Sequence, residues 1–532
     1  MDHFRVVFQG DGKEVFIHRG ATLLEAASQA GIILNTPCGG NGTCGKCAVT
    51  LEPTGRKVRA CQYEIAGDLV VSVPHESRFY AHQILQEGLE RPDSVPLSVG
   101  PWYAAATGAS SILGLAVDIG TTTVVAKLFD MLDGRHVATE AMLNPQTRFG
   151  DDVVSRISYA QSEAQASQLN RAIVDGLNDL IAGLCRTAGI GPSALYEACI
   201  VGNTTMTHLL LRFPVEQLGR APYEAHSLKA QDVPPGALGL SMNPQGNVHC
   251  VENIAGFLGA DTTAAALAVD MDRVADVTLV VDIGTNGELV LGTPEGLYAA
   301  SCAAGPALEG ARISQGGRAA EGAIQAVVVD DGDLGLDMIG QVAPRSICGS
   351  GLIDAVAVMR DLGIVDATGR LATAEALDRD LSESIRSRVI EREGQLAFCL
   401  AWDVQTCGPA VALTQQDLRE VQLAKGAIRA GIEMLLRRLD LTGAGIDRLL
   451  LAGAFGNYIR PRSAVRIGLL PNLPLDRVHF VGNAAASGAA MLLLSEECRQ
   501  RARALAGRIR HVETARDPAF ADVFAKAMAL DP

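Results

Sequence analysis

Cys38, Cys44 and Cys47 lie on one glycine-rich stretch, TPCGGNGTCGKCAV (36–49), and Cys61 follows after thirteen intervening residues. The stretch admits several chemistries. Gly40 to Lys46 spells G-x-x-x-x-G-K, but a phosphate loop needs Ser or Thr after the lysine and a helix behind it, and here Cys47 and the strand-like AVTLEP follow. Cys44 and Cys47 form a single C-x-x-C. A structural zinc site usually pairs two such knuckles, or one with two histidines, and His75 downstream stands alone. A thioredoxin-like dithiol needs its own α/β unit and leaves Cys38 and Cys61 without a role. The reading that uses all four sulfurs is a 2Fe-2S cluster, which requires four thiolates. Gly39, Gly40, Gly42 and Gly45 let such a loop wrap closely and bring backbone N–H groups toward the sulfurs.

The flanks must hold that loop. FRVVFQG and KEVFIHRG read as two strands around the turn Gly10-Asp11-Gly12, and Thr22-Leu-Leu-Glu25 is a capping box opening the helix LLEAASQAG. Strand, strand, helix, Cys loop and strand over residues 1–80 resemble a 2Fe-2S ferredoxin domain, an α+β β-grasp fold, with five residues in the first Cys gap instead of the plant-type four. Residues 81–112 contain Pro92, Pro96, Pro101 and the weakly patterned AAATGASS, and read as a linker, partly helical near HQILQEGLE.

A second set of chemistry-bearing residues occurs twice. ILGLAVDIGTTTVVAKLFD (112–130) is a buried strand, an Asp-Ile-Gly-Thr turn and a returning strand, and TLVVDIGTNGELVLG (278–292) repeats that plan. An Asp at a strand end, followed by Gly and hydroxyl side chains, suits a magnesium nucleotide. Asp118 and Asp282 are candidates to hold the metal directly or through water. Gly120 and Gly284 let backbone approach phosphate, while Thr121, Thr122, Thr123, Thr285 and Asn286 supply donors. Alone, either turn is equally an ordinary hairpin; the pair, together with the apolar strand and glycine turn LLLAGAFGNYI (449–459), favours a nucleotide. Gly453, Ala454 and Gly456 leave room for an adenine.

Each Asp turn is followed by an amphipathic helix and a further strand with a glycine turn, LNRAIVDGLNDLIAGLCRTAG then ACIVGNTTM, and QLAKGAIRAGIEMLLRRLD then LLLAGAFGN. This predicts two duplicated lobes, 113–275 and 276–532, around a ligand-binding cleft, with an insertion in the second. Gly349 and Gly351 in ICGSGLIDAVA mark either a hinge or anion-binding helix start, or close helix packing. GNTTM (202–206) is either a cleft loop or a capped turn, and His208 reads as a core or surface histidine rather than a ligand.

The composition agrees with an ordinary soluble chain of several domains: 48% hydrophobic, 20% charged, net charge −15. That acidity argues against a nucleic-acid partner. The polar start MDHFRVVFQGDGKE and the lack of a long apolar run argue against export and a membrane span, so a cytoplasmic location is expected. The other eight cysteines, Cys185, Cys199, Cys250, Cys302, Cys348, Cys399, Cys407 and Cys498, sit mostly in apolar or glycine-rich contexts and read as buried thiols.

In order, DIGTTT, DIGTNGE and LAGAFGN resemble the phosphate and adenosine motifs of the acetate and sugar kinase, Hsp70 and actin superfamily, implying a duplicated α/β actin-like ATPase fold that binds ATP with Mg. Joined to the ferredoxin-like region, nearly the whole chain resembles the RACo-like reductive activators of corrinoid proteins. That resemblance implies one-electron transfer from a 2Fe-2S cluster, held by Cys38, Cys44, Cys47 and Cys61, to Co(II) of a corrinoid protein or cobalamin-dependent methyltransferase. Co(I) is regenerated with support from ATP, and an upstream electron donor is needed; a homodimer is left open.

A plant-type cluster sits near about −400 mV, and each uphill ~100 mV costs roughly 2.3 kcal/mol per electron. A nucleotide-driven change of partner conformation is expected to make up the shortfall. The chain has no D-x-H-x-x-G, a signature many corrinoid carriers use to give cobalt a histidine ligand, so the corrinoid is expected on the partner. Two alternatives remain open: an ATP-dependent small-molecule kinase or hydrolase with a redox-sensing ferredoxin domain, for which no catalytic residue is assignable, and a plain electron carrier whose second part is a docking platform.

Overall fold

The computed structural model describes residues 3–10, 12–30, 32, 34, 42, 45, 47–74, 77, 89, 95–150, 152–284, 286–310, 312–317, 319–406, 408–453 and 459–532. Cys38, Gly39, Gly40, Cys44, Thr285, Ala454, Gly456, Cys407 and residues 81–88 and 90–94 of the expected linker lie outside them.

The N-terminal sheet contains β1 (His3–Gln9), β2 (Lys13–His18), β3 (Ala48–Glu52), β4 (Arg56–Arg59) and β5 (Leu69–Ser72), in the order β2-β1-β5-β3-β4. β1 and β5 run parallel at its centre, and the other pairs are antiparallel. Helix α1 (Leu23–Gln29) crosses one face, burying Leu23, Ala26 and Ala27 against Val6, Phe8, Val49 and Val71. The capping box forms as the sequence implies: Glu25 N–H donates to Thr22 Oγ1 at 3.2 Å and the Glu25 carboxylate accepts from Thr22 N–H at 2.6 Å. This is the mixed β-grasp arrangement expected.

Residues 99–107, read as part of a loose linker, form helix α2 (Val99–Thr107). A Cβ on Gly100 would collide with the Met131 carbonyl, and Tyr103 is buried. α2 packs through small and aromatic residues, so its pattern is weak although its docking is firm.

β6 (Leu113–Ile119), β7 (Thr123–Asp130) and β8 (His136–Leu143) form an antiparallel meander, followed by α3 (Val153–Tyr159), α4 (Glu163–Ala188), β9 (Leu195–Gly202), α5 (Thr204–Leu211), β10 (Gln231–Val233), α6 (Pro235–Leu238), β11 (Asn247–Cys250) and α7 (Ala260–Ala268). The sheet order is β10-β11-β9-β6-β7-β8, with β6, β9 and β11 parallel.

The plan then repeats. β12 (Thr278–Ile283), β13 (Gly287–Thr293) and β14 (Gly296–Cys302) make the second meander. The expected insertion follows as two small sheets, β15 (Ala323–Asp330) with β16 (Asp333–Met338) and β17 (Ser346–Ile347), and β18 (Val389–Arg392) with β19 (Gln395–Ala401) and β20 (Val411–Thr414), together with α8 (Gly349–Asp361) and α9 (Glu383–Arg386). α10 (Gln415–Arg438), β21 (Arg448–Ala452), α11 (Pro461–Arg466), β22 (Val478–Gly482), α12 (Ala484–Leu494), α13 (Glu496–Arg508), β23 (Ile509–His511) and α14 (Phe520–Ala527) complete the chain.

The second sheet runs β22-β21-β12-β13-β14-β23. Thus β6, β7, β8, β9 and β11 correspond to β12, β13, β14, β21 and β22, and α4 corresponds to α10. One apolar core joins the halves, built from α2, α7, α12 and α13 with residues of both sheets such as Ala116, Val201, Val280 and Leu450. A Cβ on Gly488 of α12 would overlap the backbone of Ala264 in α7, so these two helices touch backbone to backbone.

Candidate functional site

Two of the four expected cluster ligands are described, and the fold brings them together. β3 begins just after Cys47, and Cys61 lies in a short 3-10 turn (Ala60–Gln62) at the end of β4; Ala60 N–H donates to the Cys47 carbonyl at 3.0 Å. The two sulfurs are 3.3 Å apart and both are buried. That separation is far longer than the ~2.05 Å of a disulfide. The hydrogen bond between the Cys47 and Cys61 side chains is the chief cause lowering the Cys47 thiol to about 6, against the opposing effect of burial. Gly42 and Gly45 have positive φ, and a Cβ on Gly42 would lie 2.8 Å from Cγ of Gln62. Arg59 donates to the Gly42 carbonyl, fastening the loop to β4. The sulfur pair fits a thiolate-ligated cluster: soft donors, dry surroundings and a loop whose backbone can lie close.

The second site lies where the two meanders meet. Asp118 is the penultimate residue of β6, Gly120, Thr121 and Thr122 make the turn, and Thr123 opens β7. A Cβ on Gly120 would sit 2.7 Å from the Thr123 carbonyl, so only glycine fits this hairpin. The turn is braced from behind. Asn144 donates through Nδ2 to the Gly120 carbonyl at 2.8 Å and through its backbone to the Thr122 carbonyl at 2.8 Å; the fully buried Arg156 donates to the Thr121 carbonyl at 2.6 Å and the Gly150 carbonyl at 2.9 Å.

In the second half Asp282 is the penultimate residue of β12, and Gly284 N–H donates to the Asn286 carbonyl at 3.1 Å. Gly453, with φ +88°, follows β21, whose Ala452 pairs with Asp282. A Cβ on Gly453 would collide with the Asp282 carboxylate.

The halves face each other here. Asn483 caps α12 by accepting from Ala486 N–H at 2.8 Å, and its Nδ2 donates to the Asp118 carboxylate at 3.0 Å across the cleft. Thr122 Oγ1 lies 3.4 Å from the Glu309 carboxylate. Asp118, Asp261 in the first turn of α7, Asp282, and Glu288 on β13 directly opposite Asp282 are half-buried carboxylates. Burial raises Asp118 to about 6, with the Asn483 bond and then Lys127 opposing. Burial, then the charge of Asp118, raises Asp282 to about 7 and Asp261 to about 7, and Glu288 is pushed well above the usual range by burial, then by Asp261 and Asp282. Such a site is short of positive charge. Among the described residues no three His, Cys, Asp or Glu side chains are placed to share one metal ion, so a cation here would draw much of its shell from water and phosphate.

Sequence reading did not single out Asp261, Glu288, Asn483, Asn144 or Arg156. Two of them left signals. Glu288 ends the quoted D-I-G-T-N-G-E and faces Asp282 across a tight hairpin. Asn483 belongs to Val481-Gly482-Asn483, a repeat of Val201-Gly202-Asn203, and both asparagines cap the helix that follows. Asn203 accepts from Thr205 N–H at 2.8 Å, which makes GNTTM a capped turn packed against Gly259. At α8 a Cβ on Gly351 would strike the Ile324 carbonyl, which accounts for that glycine by close packing. His208 is buried and lowered to about 4 by desolvation, as a core histidine is. Seven of the eight scattered cysteines are buried and free.

Three family profiles match the chain: a 2Fe-2S iron-sulfur cluster binding domain over residues 4–76, the RACo middle region over 113–274, and the C-terminal ASKHA domain of RACo over 276–532. The corrinoid activation enzyme RamQ of Eubacterium limosum is 31% identical to it across 98% of each chain. The chain belongs to the RACo-like family of corrinoid activators. A solved structure of a RACo-like relative, a reductive activator for corrinoid, iron-sulfur protein, is 30% identical and superposes with a TM-score of 0.72 over 99% of this chain and 98% of that one. A [Co(II) methylated amine-specific corrinoid protein] reductase of Methanosarcina barkeri is 29% identical over 45% of this chain and 43% of its own. The RACo-like architecture is therefore that of this chain: an N-terminal 2Fe-2S domain followed by an actin-like ATPase fold.

Proposed function

We propose that the chain restores Co(I) in a corrinoid protein by giving one electron to Co(II), with ATP and Mg bound between the duplicated halves. The observation that carries this reading is the buried sulfur pair of Cys47 and Cys61 in a β-grasp sheet, on the same chain as the paired Asp turns. A 2Fe-2S cluster, when bound, supplies a one-electron couple at low potential. Cys38, Cys44, Cys47 and Cys61 would hold it, and the 3.3 Å between the Cys47 and Cys61 sulfurs supports two of the four acting together.

The cleft has a separate task. Asp118 and Asp282 would hold Mg, directly or through water, Gly120, Gly284, Thr121, Thr122, Thr123, Thr285 and Asn286 would receive the phosphates, and Gly453, Ala454 and Gly456 would bed the adenosine. A cation that arrives with the nucleotide would offset the crowded carboxylates and phosphates where the halves meet, and a pair bound better by one arrangement of the halves than by another meets the condition for a population shift. The corrinoid protein that meets the closed form accepts the electron more readily.

The test is anaerobic. Reduced protein with ATP, added to a Co(II) corrinoid protein, yields the Co(I) visible spectrum, and Asp282→Ala weakens the ATP effect while sparing the cluster absorbance. Equal rates with ATP, ADP and no nucleotide refute the ATP role, and iron-free, colourless protein refutes the redox role.

A further inference from the structure

The ferredoxin-like sheet ends, on the cluster side, in a cationic edge. β4 is the outermost strand beyond β3, and its Arg56, Lys57 and Arg59 are all exposed. Among the described residues no carboxylate forms an ion pair with any of the three. The strand runs straight into the Cys61 turn, so Lys57 stands at most about 14 Å of chain from that sulfur. Arg59 is fastened to the Gly42 carbonyl of the cysteine loop.

Charge on an edge strand also serves to block pairing with other chains. The opposite edge shows what that role alone looks like here: β2 carries Lys13 and Glu14, opposite in sign, and leaves Phe16 60% exposed. Unmixed positive charge is therefore found on the edge beside the cluster sulfurs and not on the edge away from them.

The charge balance of the chain bears on which partner suits this edge. Residues 1–76 hold seven Lys and Arg against eight Asp and Glu, a net −1 in a chain of −15, which leaves −14 on the other 456 residues. On the function proposed above, a corrinoid protein acted on under nucleotide control meets the halves as well as the cluster, and strong negative charge on it would be repelled there. An electron donor needs only the ferredoxin-like domain.

We propose that the β4 edge is the docking strand for an acidic one-electron carrier protein that reduces the cluster. The inference rests on the cluster reading above but not on the identity of the acceptor. In the step itself one electron leaves the reduced carrier, which is oxidised, and enters the oxidised cluster; no bond forms or breaks and no proton moves. Opposite charges on the two surfaces raise the encounter rate by 10-fold to 1000-fold at low salt.

The experiment uses the full chain, with a reduced acidic plant-type ferredoxin as probe and the reduced methyl viologen cation as a counter-probe, in anaerobic stopped flow read at the cluster absorbance. For the native chain, added salt slows reduction by the ferredoxin and does not slow reduction by the viologen. The double variant Arg56→Glu with Lys57→Glu loses at least tenfold in rate with the ferredoxin at low salt, keeps or gains rate with the cationic viologen, and keeps its rate of Co(II) reduction once pre-reduced. Calorimetry between both proteins in their oxidised forms, where no electron moves, shows the same loss of affinity. Arg56→Gln with Lys57→Gln gives a smaller loss of the same sign, and serves if the reversed charges impair folding. A salt-independent native rate overturns the proposal, as does an unchanged variant. It is also overturned if the variant takes electrons from ferredoxin normally but passes them to the corrinoid protein slowly, since the strand would then serve the acceptor.

Discussion

Asp118 and Asp282 occupy matching positions in matching sheets, each the penultimate residue of the strand that opens a meander, yet the chain holds them by different means. The first hairpin is stiffened by long side chains reaching in from elsewhere: Asn144 and Arg156 from its own half and Asn483 from the other. The second is shaped by what is missing, the Cβ of Gly453, which lets the backbone after β21 lie against the Asp282 carboxylate. A duplicated fold has thus kept its frame and divided the work, with donors in one half and empty space in the other. The carboxylates register the difference: burial raises both, the Asn483 bond opposes the rise at Asp118, and the charge of Asp118 adds to the rise at Asp282.

Filling the space is the strongest way to break this comparison. Gly453→Val adds bulk against Asp282 at a backbone angle that L residues avoid, at a cost of about 1–3 kcal/mol from backbone strain alone. ATP affinity, measured by calorimetry, falls by about 100-fold or more while the cluster spectrum is unchanged. Removing a donor is milder. Asn483→Ala loses a bond to a carboxylate and a helix cap, and a loss of ATP affinity of about tenfold, equivalent to about 1.4 kcal/mol, is expected with Asp118 rising further.

Acidity gives the finest comparison. Both carboxylates are raised from the ordinary 3.8, to about 6 and about 7. Their contribution to the stability of the nucleotide-free chain is therefore complete below about pH 4 and is lost as pH rises through 6 to 7. A magnesium nucleotide needs them charged, so its affinity climbs over the same window, by roughly tenfold between pH 5.5 and 7.5. Asp118→Asn and Asp282→Asn each shrink that climb, and Asp118→Asn also moves what remains to lower pH because the Asp118 charge no longer raises Asp282. A pH profile that both variants leave intact would show that the two groups do not titrate in the cleft.

What the sequence disclosed was local. A capping box, a Cys-rich loop and two D-I-G-T hairpins each form within a few residues, so their pattern survives in the linear order. Asp261 opens an alanine-rich helix with no distinguishing neighbour, and it enters the cleft only because α7 packs under both sheets. Arg156 sits 35 residues from the turn it supports, and nothing nearby marks it as other than a surface arginine. Helix α12 is buried on every side, which erases the periodicity by which helices are read and leaves the cap position of Asn483 unmarked by an amphipathic pattern. Helix α2 was hidden for a related reason, since it docks through Gly100 and Tyr103 rather than an aliphatic stripe.

The meeting of Gly488 with Ala264 bears on how the molecule can move. With bare main chain on one side and an alanine backbone on the other, there is no long side chain at that point to bend or change rotamer. Displacement between the two halves is therefore least at this bearing and grows along the radius from it, as in a hinge with a fixed pin. The Thr122 and Glu309 side chains, 3.4 Å apart on opposite halves, are one contact that such a rotation would make or break.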